Sequence, residues 1–187
     1  MIFLVGAGGC GIDTAAFLCD EIYFVDDYKT GDVTGIPVLY TVDEFIHTYW
    51  KMRESPTVYN CLGSEGDNTE RNRMYERLTR GGVKVSPLIL SSFVSLNVRV
   101  GNNVFTNIGS QLHHHVTLED NVVVSPGAII CGNVTLKRNC FIGTGATVIQ
   151  DVTINENAII GAGSVVLKDI PANEMWAGNP AKLIRKW

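Results

Sequence analysis

The sequence predicts two successive domains of different class, a small α/β domain over residues 1–87 and a parallel β-helix over residues 88–187. Three observations carry this. Up to about Pro87, short apolar runs alternate with helix-like stretches, the pattern of a small parallel sheet covered by helices. From Leu88 onward an apolar residue returns at every sixth position, a period that belongs to a solenoid. Charge changes at the same boundary: residues 1–87 hold eight Lys/Arg against thirteen Asp/Glu, and residues 88–187 hold seven against six.

In the first domain "IFLV" reads as a buried strand that ends in "GAGGCG", with a helix-like stretch following from Ile12 to Cys19. "IYFVDD" reads as a second buried strand ending in acids. "TVDEFIHTYWKM" has helical spacing and opens on Thr41, a good N-cap residue. "TVYNCLG" reads as a third strand, "NTERNRMYERLTRGG" as a helix ended by glycine, and "VKV" as a last short strand.

The glycine loop satisfies G-x-G-x-x-G through Gly6, Gly8 and Gly11. Asp26 follows at the distance, about 20 residues on, where a dinucleotide fold places its ribose-binding acid. An NAD site is therefore one reading, and a plain strand-to-helix turn without a ligand is another. About 87 residues make only roughly one mononucleotide-binding half of the full fold. A Rossmann-like half-domain holding a smaller phosphate ligand accounts best for that length. The glycines then let backbone N–H groups approach phosphate, and Asp26 and Asp27 meet a ribose or base.

In the second domain the six-residue series runs Leu88, Val94, Val100, Thr106, Leu112, Leu118, Val124, Ile130, Leu136, Ile142, Val148, Ile154, Ile160, Val166, aliphatic at every position but Thr106. Four residues after each stands a small or β-branched residue, from Ser92 to Ile170. Turn residues such as "GNN", "EDN", "GTG" and "NEN" fall between the columns. A 3.6-residue helix cannot place a six-residue series on one face. Each hexad gives one short strand and one corner, and three hexads close a triangular coil. Fourteen hexads make about 4.7 coils, stacked roughly 4.8 Å apart.

"LHHHVTL" holds three of the four histidines. Leu112 and Val116 point inward, so His113 faces out from a flat side and His114 and His115 fall at a corner. Gly132 stands three hexads past His114, one coil on at the same corner. A histidine beside a residue without a side chain offers a base next to an accessible backbone N–H. Acyl transfer needs both, the base for the incoming nucleophile and the N–H for charge on the thioester oxygen. A metal site and a solvated run without a role are the alternatives. Adjacent histidines on one strand diverge, and no carboxylate or thiolate column supports a metal.

Composition excludes other classes. A net charge of −4 argues against a general nucleic-acid role. No apolar run approaches the roughly 18 residues of a membrane helix. "MIFLVGAGG" has no basic region of a signal peptide. Five cysteines (Cys10, Cys19, Cys61, Cys131, Cys140) make no zinc spacing, and their odd number reads as reduced thiols in a cytoplasm. None is expected to neighbour a histidine in sequence or coil register, which leaves an acyl-enzyme without a nucleophile.

The hexad columns and the tail "GNPAK" resemble the left-handed β-helix of hexapeptide-repeat acyltransferases. The handedness comes from that resemblance, since general crossover rules favour the right hand. With "GAGGCG", "VDD", "NCLGS", and "HHHV" before "SPGAIICGNV", nearly the whole chain resembles the nucleotide-sugar acetyltransferases of the bacillosamine and sialic-acid type. The resemblance implies acetyl-CoA as co-substrate, no metal, a homotrimer, and N-acetylation of a nucleotide-linked 4-amino-4,6-dideoxyhexose. The nucleotide (UDP, dTDP or GDP) stays open. It further implies that Gly8, Gly9 and Cys10 approach the sugar-nucleotide phosphates, that Asp26 and Asp27 contact base or ribose, and that Gly63 closes the pocket. His114 matches the general base, Gly132 the glycine whose N–H contacts the acetyl group, and Thr144 and Ala162 backbone contacts to coenzyme A. Lys182, with Arg185 and Lys186, is expected near the coenzyme phosphates.

Three positions depart from the family pattern. Its members often carry an acid after the catalytic histidine, where His115 stands here as a candidate tuner of the base. Cys10 replaces a histidine of the glycine loop, and Val123 another near the cofactor. O-acetylation of a sugar hydroxyl and a non-catalytic nucleotide-sugar scaffold are the rival functions.

Overall fold

A computed structural model describes residues 1–16, 18, 21–52, 54–62, 68–90 and 92–187, with backbone alone at 9 and 10. The contacts divide the chain into two units, Met1–Ser64 with Thr69–Ser86, and Glu65–Asn68 with Pro87–Trp187.

The first unit contains β1 (Ile2–Val5), α1 (Gly9–Ala15), β2 (Ile22–Val25), β3 (Gly31–Val33), β4 (Ile36–Tyr40), α2 (Val42–Tyr49), β5 (Thr57–Asn60) and α3 (Thr69–Arg80). The sheet order is β3-β4-β2-β1-β5. β4, β2, β1 and β5 run parallel, of which β1, β2 and β5 are the strands that the apolar runs predict, and β3 turns back antiparallel on β4. The fully apolar β1 is buried throughout and pairs with β2 on one side and β5 on the other. Its Phe3 packs against Phe45 of α2 at 4.7 Å between ring centroids, and Val5, Val25, Val58 and Leu78 complete the core. Thr41 caps α2 in a reciprocal box. Its hydroxyl accepts from the Glu44 N–H at 3.4 Å, and the Glu44 carboxylate accepts from the Thr41 N–H at 2.9 Å.

Three expectations change here. The β3–β4 hairpin has no counterpart in the sequence reading. α1 starts at Gly9, inside the glycine loop, not at Ile12. "VKV" forms no strand. Val83 and Val85 are buried in the same core cluster as Val58, and among the described residues the backbone hydrogen bond from the segment's end to β5 is that of the Ser86 N–H to Val58 O at 2.8 Å.

The second unit is a left-handed parallel β-helix of two-residue strands on three faces. The first face holds Leu88–Ile89, Phe105–Thr106, Val123–Val124, Phe141–Ile142 and Ile159–Ile160, and the second holds Phe93–Val94, Gln111–Leu112, Ile129–Ile130, Thr147–Val148 and Val165–Val166. The third holds Arg99–Val100, Thr117–Leu118, Thr135–Leu136 and Thr153–Ile154. Along the second face, each strand pairs in parallel with its counterpart one coil on, from Val94 to Val166. At the N-terminal end the register shifts by one, so Ile89 and not Leu88 stands opposite Thr106. The inward column from Leu112 to Val166 is fully buried.

The corners explain the polar spacing. Each needs one residue at positive φ, a conformation cheap for glycine and least costly among the rest for Asn, Asp and His. One corner column is Gly109, Gly127, Gly145 and Gly163; a second is Asn103, Asn121, Asn139 and Asn157; the third is Asn97, His115, Asn133 and Asp151. In the second column each carboxamide donates to the next, at 2.6, 2.8 and 2.9 Å, and Asn157 continues to Asn173 at 2.9 Å. The chain closes with a hairpin of Glu174–Ala177 and Lys182–Lys186, whose first strand extends the first face. Among the described residues, no helix is long and apolar enough to cross a membrane.

Candidate active site

His114 and His115 form the two-residue corner between the second and third faces. His115 holds φ +60°, the value shared by the Asn and Asp residues of its column. His114 lies against Gly132. A Cβ built on Gly132 would stand 2.4 Å from His114 Cε1 and 2.6 Å from its Nε2. The absent side chain is therefore the seat of the imidazole. His114 Nδ1 is 3.1 Å from His115 Nδ1, and His115 Nε2 is 3.1 Å from the carboxamide of Asn97, one coil earlier. His113 stays on the flat face with its ring edge toward Phe93 at 5.9 Å. The three rings do not converge, and among the described residues no group of three or more His, Cys, Asp or Glu could hold a metal.

At the next coil the Cys131 N–H donates to Val148 O at 3.0 Å and the Asn133 N–H to His114 O at 3.0 Å. Between them, the Gly132 N–H has no backbone acceptor among the described residues. Thr144 and Ala162 have the same corner geometry, with the amides on either side engaged. They sit on the glycine corner between the first and second faces, so they border the second face at the edge opposite His114.

Cys131 corrects the expectation about thiols. Leu112 pairs with Ile130, so Cys131 follows His113 in the same outward column. Its neighbour is His113, not the corner histidine. Cys140 is an inward residue whose thiol burial pushes up to about 12. It donates to Asn155 O at 3.0 Å and is held as a protonated packing group.

In the α/β unit, a cleft of about 350 Å³ opens at the carboxyl ends of β1, β2 and β5, lined by Gly6, Asp26, Tyr28, Leu62, Arg73 and Arg77 among others. β1 lies between β2 and β5, so this is where the chain changes direction across the sheet and where ligands of such sheets bind. The three motif glycines have different reasons. Gly6 takes φ +101°. A Cβ at Gly11 would meet Gly6 O at 2.1 Å, so α1 packs on the strand only without one. Gly8 has nothing within 4 Å and faces open space. Gly9 lies in the first turn of α1, as does the backbone of Cys10. Gly63 lies outside the described residues.

Both predicted acids are engaged by the protein itself. Asp26 accepts from the N–H groups of Ala7 (2.8 Å), Tyr28 (2.8 Å) and Lys29 (2.9 Å). Burial pushes its carboxyl up, but those three N–H groups and the Lys29 charge outweigh burial and hold it below the usual value. Asp27 accepts from the Val42 N–H at 2.9 Å and pairs with Arg77 at 2.5 Å. The acids thus shape the rim of the cleft, and the exposed Tyr28 stands beside them.

Lys182 lies in a second cleft, in the β-helix unit, with Val166, Lys168 and Trp176. Lys168 Nζ stands 4.9 Å from the Trp176 ring centroid. Of the other expected cations, Lys186 is spent on Glu174 at 2.6 Å and Arg185 stacks on Trp187.

Sequence reasoning missed Arg73, Arg77, Tyr28, Lys168 and Asn97. Arg73 and Arg77 were legible as an i, i+4 pair on one face of α3. Asn97 stands one coil before His115, and the counting that found Gly132 would have found it.

A family model described as bacterial transferase hexapeptide (six repeats) matches residues 133–168. No curated protein matches the chain. Among solved structures, the acetyltransferase domain of PglB from Neisseria gonorrhoeae superposes with a TM-score of 0.82 at 29% identity, covering 98% of each chain. The same domain in complex with acetyl coenzyme A gives 0.64 at 26%, again over 98% of each. A variant of perosamine N-acetyltransferase from Caulobacter crescentus, in complex with CoA and GDP-perosamine, gives 0.79 at 24%, over 99% of this chain and 97% of that one. The repeat match, the coil architecture and the whole-length likeness to the PglB domain make this chain similar to the acetyltransferases of the left-handed β-helix, hexapeptide-repeat superfamily.

Proposed function

We propose that the chain transfers the acetyl group of acetyl-CoA to the amine of a nucleotide-linked amino sugar, a 4-amino-4,6-dideoxyhexose, with His114 as general base. The observation that carries this reading is the His114 ring seated on Gly132, whose neighbouring amides are engaged while its own has no backbone acceptor among the described residues. The perosamine enzyme, a likeness of fold, is bound to CoA and a GDP-linked amino sugar, and the PglB domain to acetyl-CoA. Both ligands suit the reaction.

The amine nitrogen attacks the thioester carbonyl carbon as His114 Nε2 takes its proton. The carbonyl oxygen gains charge and accepts from the Gly132 N–H. The carbon–sulfur bond then breaks, the coenzyme leaves as thiolate, and the proton on His114 passes to it. An amide and free coenzyme A result. No acyl-enzyme is needed, and Cys140 as a buried neutral thiol does not offer one. Gly8 leaves open space for a phosphate beside the glycine loop, and Arg73 and Arg77 at the α/β cleft would have to exchange their pairs with Glu70 and with Asp27 and Asp43 to meet it.

The active form is a homotrimer. The second face and its two edges expose Phe93, Val94, Leu96 and Ile108 in the first coils, an apolar area that a neighbouring copy would cover. Lys182 and Lys168 line a place for the coenzyme phosphates.

The test is thiol release from acetyl-CoA with UDP-, dTDP- and GDP-linked amino sugars, with product mass taken before and after mild alkali. The expected product keeps its acetyl group. An acetyl lost to alkali would establish O-acetylation, and no release with any sugar would leave a binding scaffold.

A further inference from the structure

The histidine corner contains a three-member chain, Asn97–His115–His114, joined by contacts of 3.1 Å and 3.1 Å. Asn97 and His115 occupy the same left-handed corner position in successive coils, with φ 59° and 60°, which brings their side chains together. The next column residue, Asn133, directs its carboxamide away, to Asp151 at 2.8 Å. Asn97 is therefore the one side chain hydrogen-bonded to His115 Nε2 among the described residues.

A neutral imidazole carries one N–H and one acceptor nitrogen, and each contact in the chain needs one donor and one acceptor. Two states satisfy both contacts. In the first, the Asn97 amide nitrogen donates to His115 Nε2. His115 then carries its proton on Nδ1 and donates to His114 Nδ1, so the His114 proton sits on Nε2 and that nitrogen cannot act as a base. In the second, a half-turn of the carboxamide presents Oδ1. His115 Nε2–H donates to it, His115 Nδ1 accepts from His114 Nδ1–H, and His114 Nε2 is left with its lone pair beside Gly132.

We infer that Asn97 is a positioning residue that sets the tautomer of His114 through His115, with its carboxamide oxygen turned to His115 in the catalytic state. The inference rests on the reading of His114 as the base. It gives His115 a defined task at a place where a carboxylate could act on the base directly. The neighbouring ring passes on a choice made one coil away, without bringing a charge.

The experiment uses the full chain with Asn97→Asp and Asn97→Gly. Both residues accept positive φ, so neither strains the corner. Asp supplies only acceptors and Gly supplies nothing. Imidazole ¹⁵N shifts report the tautomer in the free protein at a pH where both rings are neutral. Expected for the native chain and Asn97→Asp is a protonated Nδ1 and a bare Nε2 on His114, with kcat retained within about threefold. Expected for Asn97→Gly is loss of that pattern and a kcat lower by about 10-fold or more, a part of a general base's usual contribution, with the KM for acetyl-CoA unchanged. An unaltered ¹⁵N pattern in Asn97→Gly, or an Asn97→Asp enzyme as slow as Asn97→Gly, would overturn the inference. Full activity in His114→Ala would instead overturn the base assignment, and the ¹⁵N result would still report whether Asn97 sets the tautomer.

Discussion

The imidazole of His114 occupies the space that a side chain at position 132 would need, with Nε2 2.6 Å from the place of the missing Cβ. Gly132 does not have a positive φ, so the backbone accepts alanine there, and the exposed His114 ring is free to swing away. Gly132→Ala is therefore expected to fold normally, with melting temperature and far-ultraviolet dichroism near native. Its kcat/KM should fall by about 10² or more, the scale of a displaced base. An alanine variant with native turnover would show that contact between these residues has no part in catalysis.

The corner register separates the histidines. His114→Ala should lower kcat/KM at least ~10²-fold, whereas His113→Ala, on the flat face against Phe93, should cost less than ~10-fold. Steady-state kinetics of the two variants, side by side, checks this. Equal losses would move the reacting centre from the corner to the face.

The glycine loop permits a paired test. Gly8 has nothing within 4 Å, so Gly8→Val should leave stability intact while filling the space above the loop and raising the KM for the nucleotide sugar, with that for acetyl-CoA unchanged. Gly11→Ala would drive a Cβ to 2.1 Å from Gly6 O, and should destabilise the α/β unit by about 1–3 kcal/mol, as overpacking does. Denaturant melts and substrate-saturation curves distinguish the two effects.

Acid stability should depend on Asp26. Its folded carboxyl is held below the ordinary aspartate value, so the folded state binds the proton less readily than the unfolded chain. The stabilisation is fully present above the unfolded value and is lost as pH falls through the lower folded value. Melting temperature should decline below about pH 4, and Asp26→Asn should flatten that decline while lowering the plateau at neutral pH. A parallel, unflattened curve would assign the acid limb to other carboxylates.

The period of six made the β-helix legible because every hexad repeats one steric demand, an inward apolar side chain followed by a corner that glycine or asparagine turns cheaply. Gly132 was found by counting one full coil from His114 for the same reason. The β3–β4 hairpin escaped because Pro37 argues against a strand and its turn is Thr34-Gly35, at φ 54° and 86°, weaker than Asn-Gly as a signal. "VKV" alternates like a strand, yet alternation records burial, not pairing. Two of the three amides that engage Asp26, those of Tyr28 and Lys29, belong to its own turn, as is common for aspartate, but the third, from Ala7, comes from the loop after β1, and only the fold brings it there.

Light scattering should give about 60 kDa, three copies of a 20.4 kDa chain. Phe93→Glu, which places a charge on the exposed apolar area, should shift the sample toward monomer and lower activity with it. A fully active monomer would overturn the homotrimer as the active form.

The asparagine column from Asn103 to Asn173 makes the length of this molecule discrete. Each rung spans one coil, and the last, into the closing hairpin, is slightly shorter in sequence. Inserting a single residue in a middle coil would therefore turn one carboxamide from its partner and move an inward side chain to the outside. Whole coils, by contrast, could be added or removed with every rung re-formed. The prism can be edited like a stack of identical plates but not like a thread, and its corner amides act as the gauge.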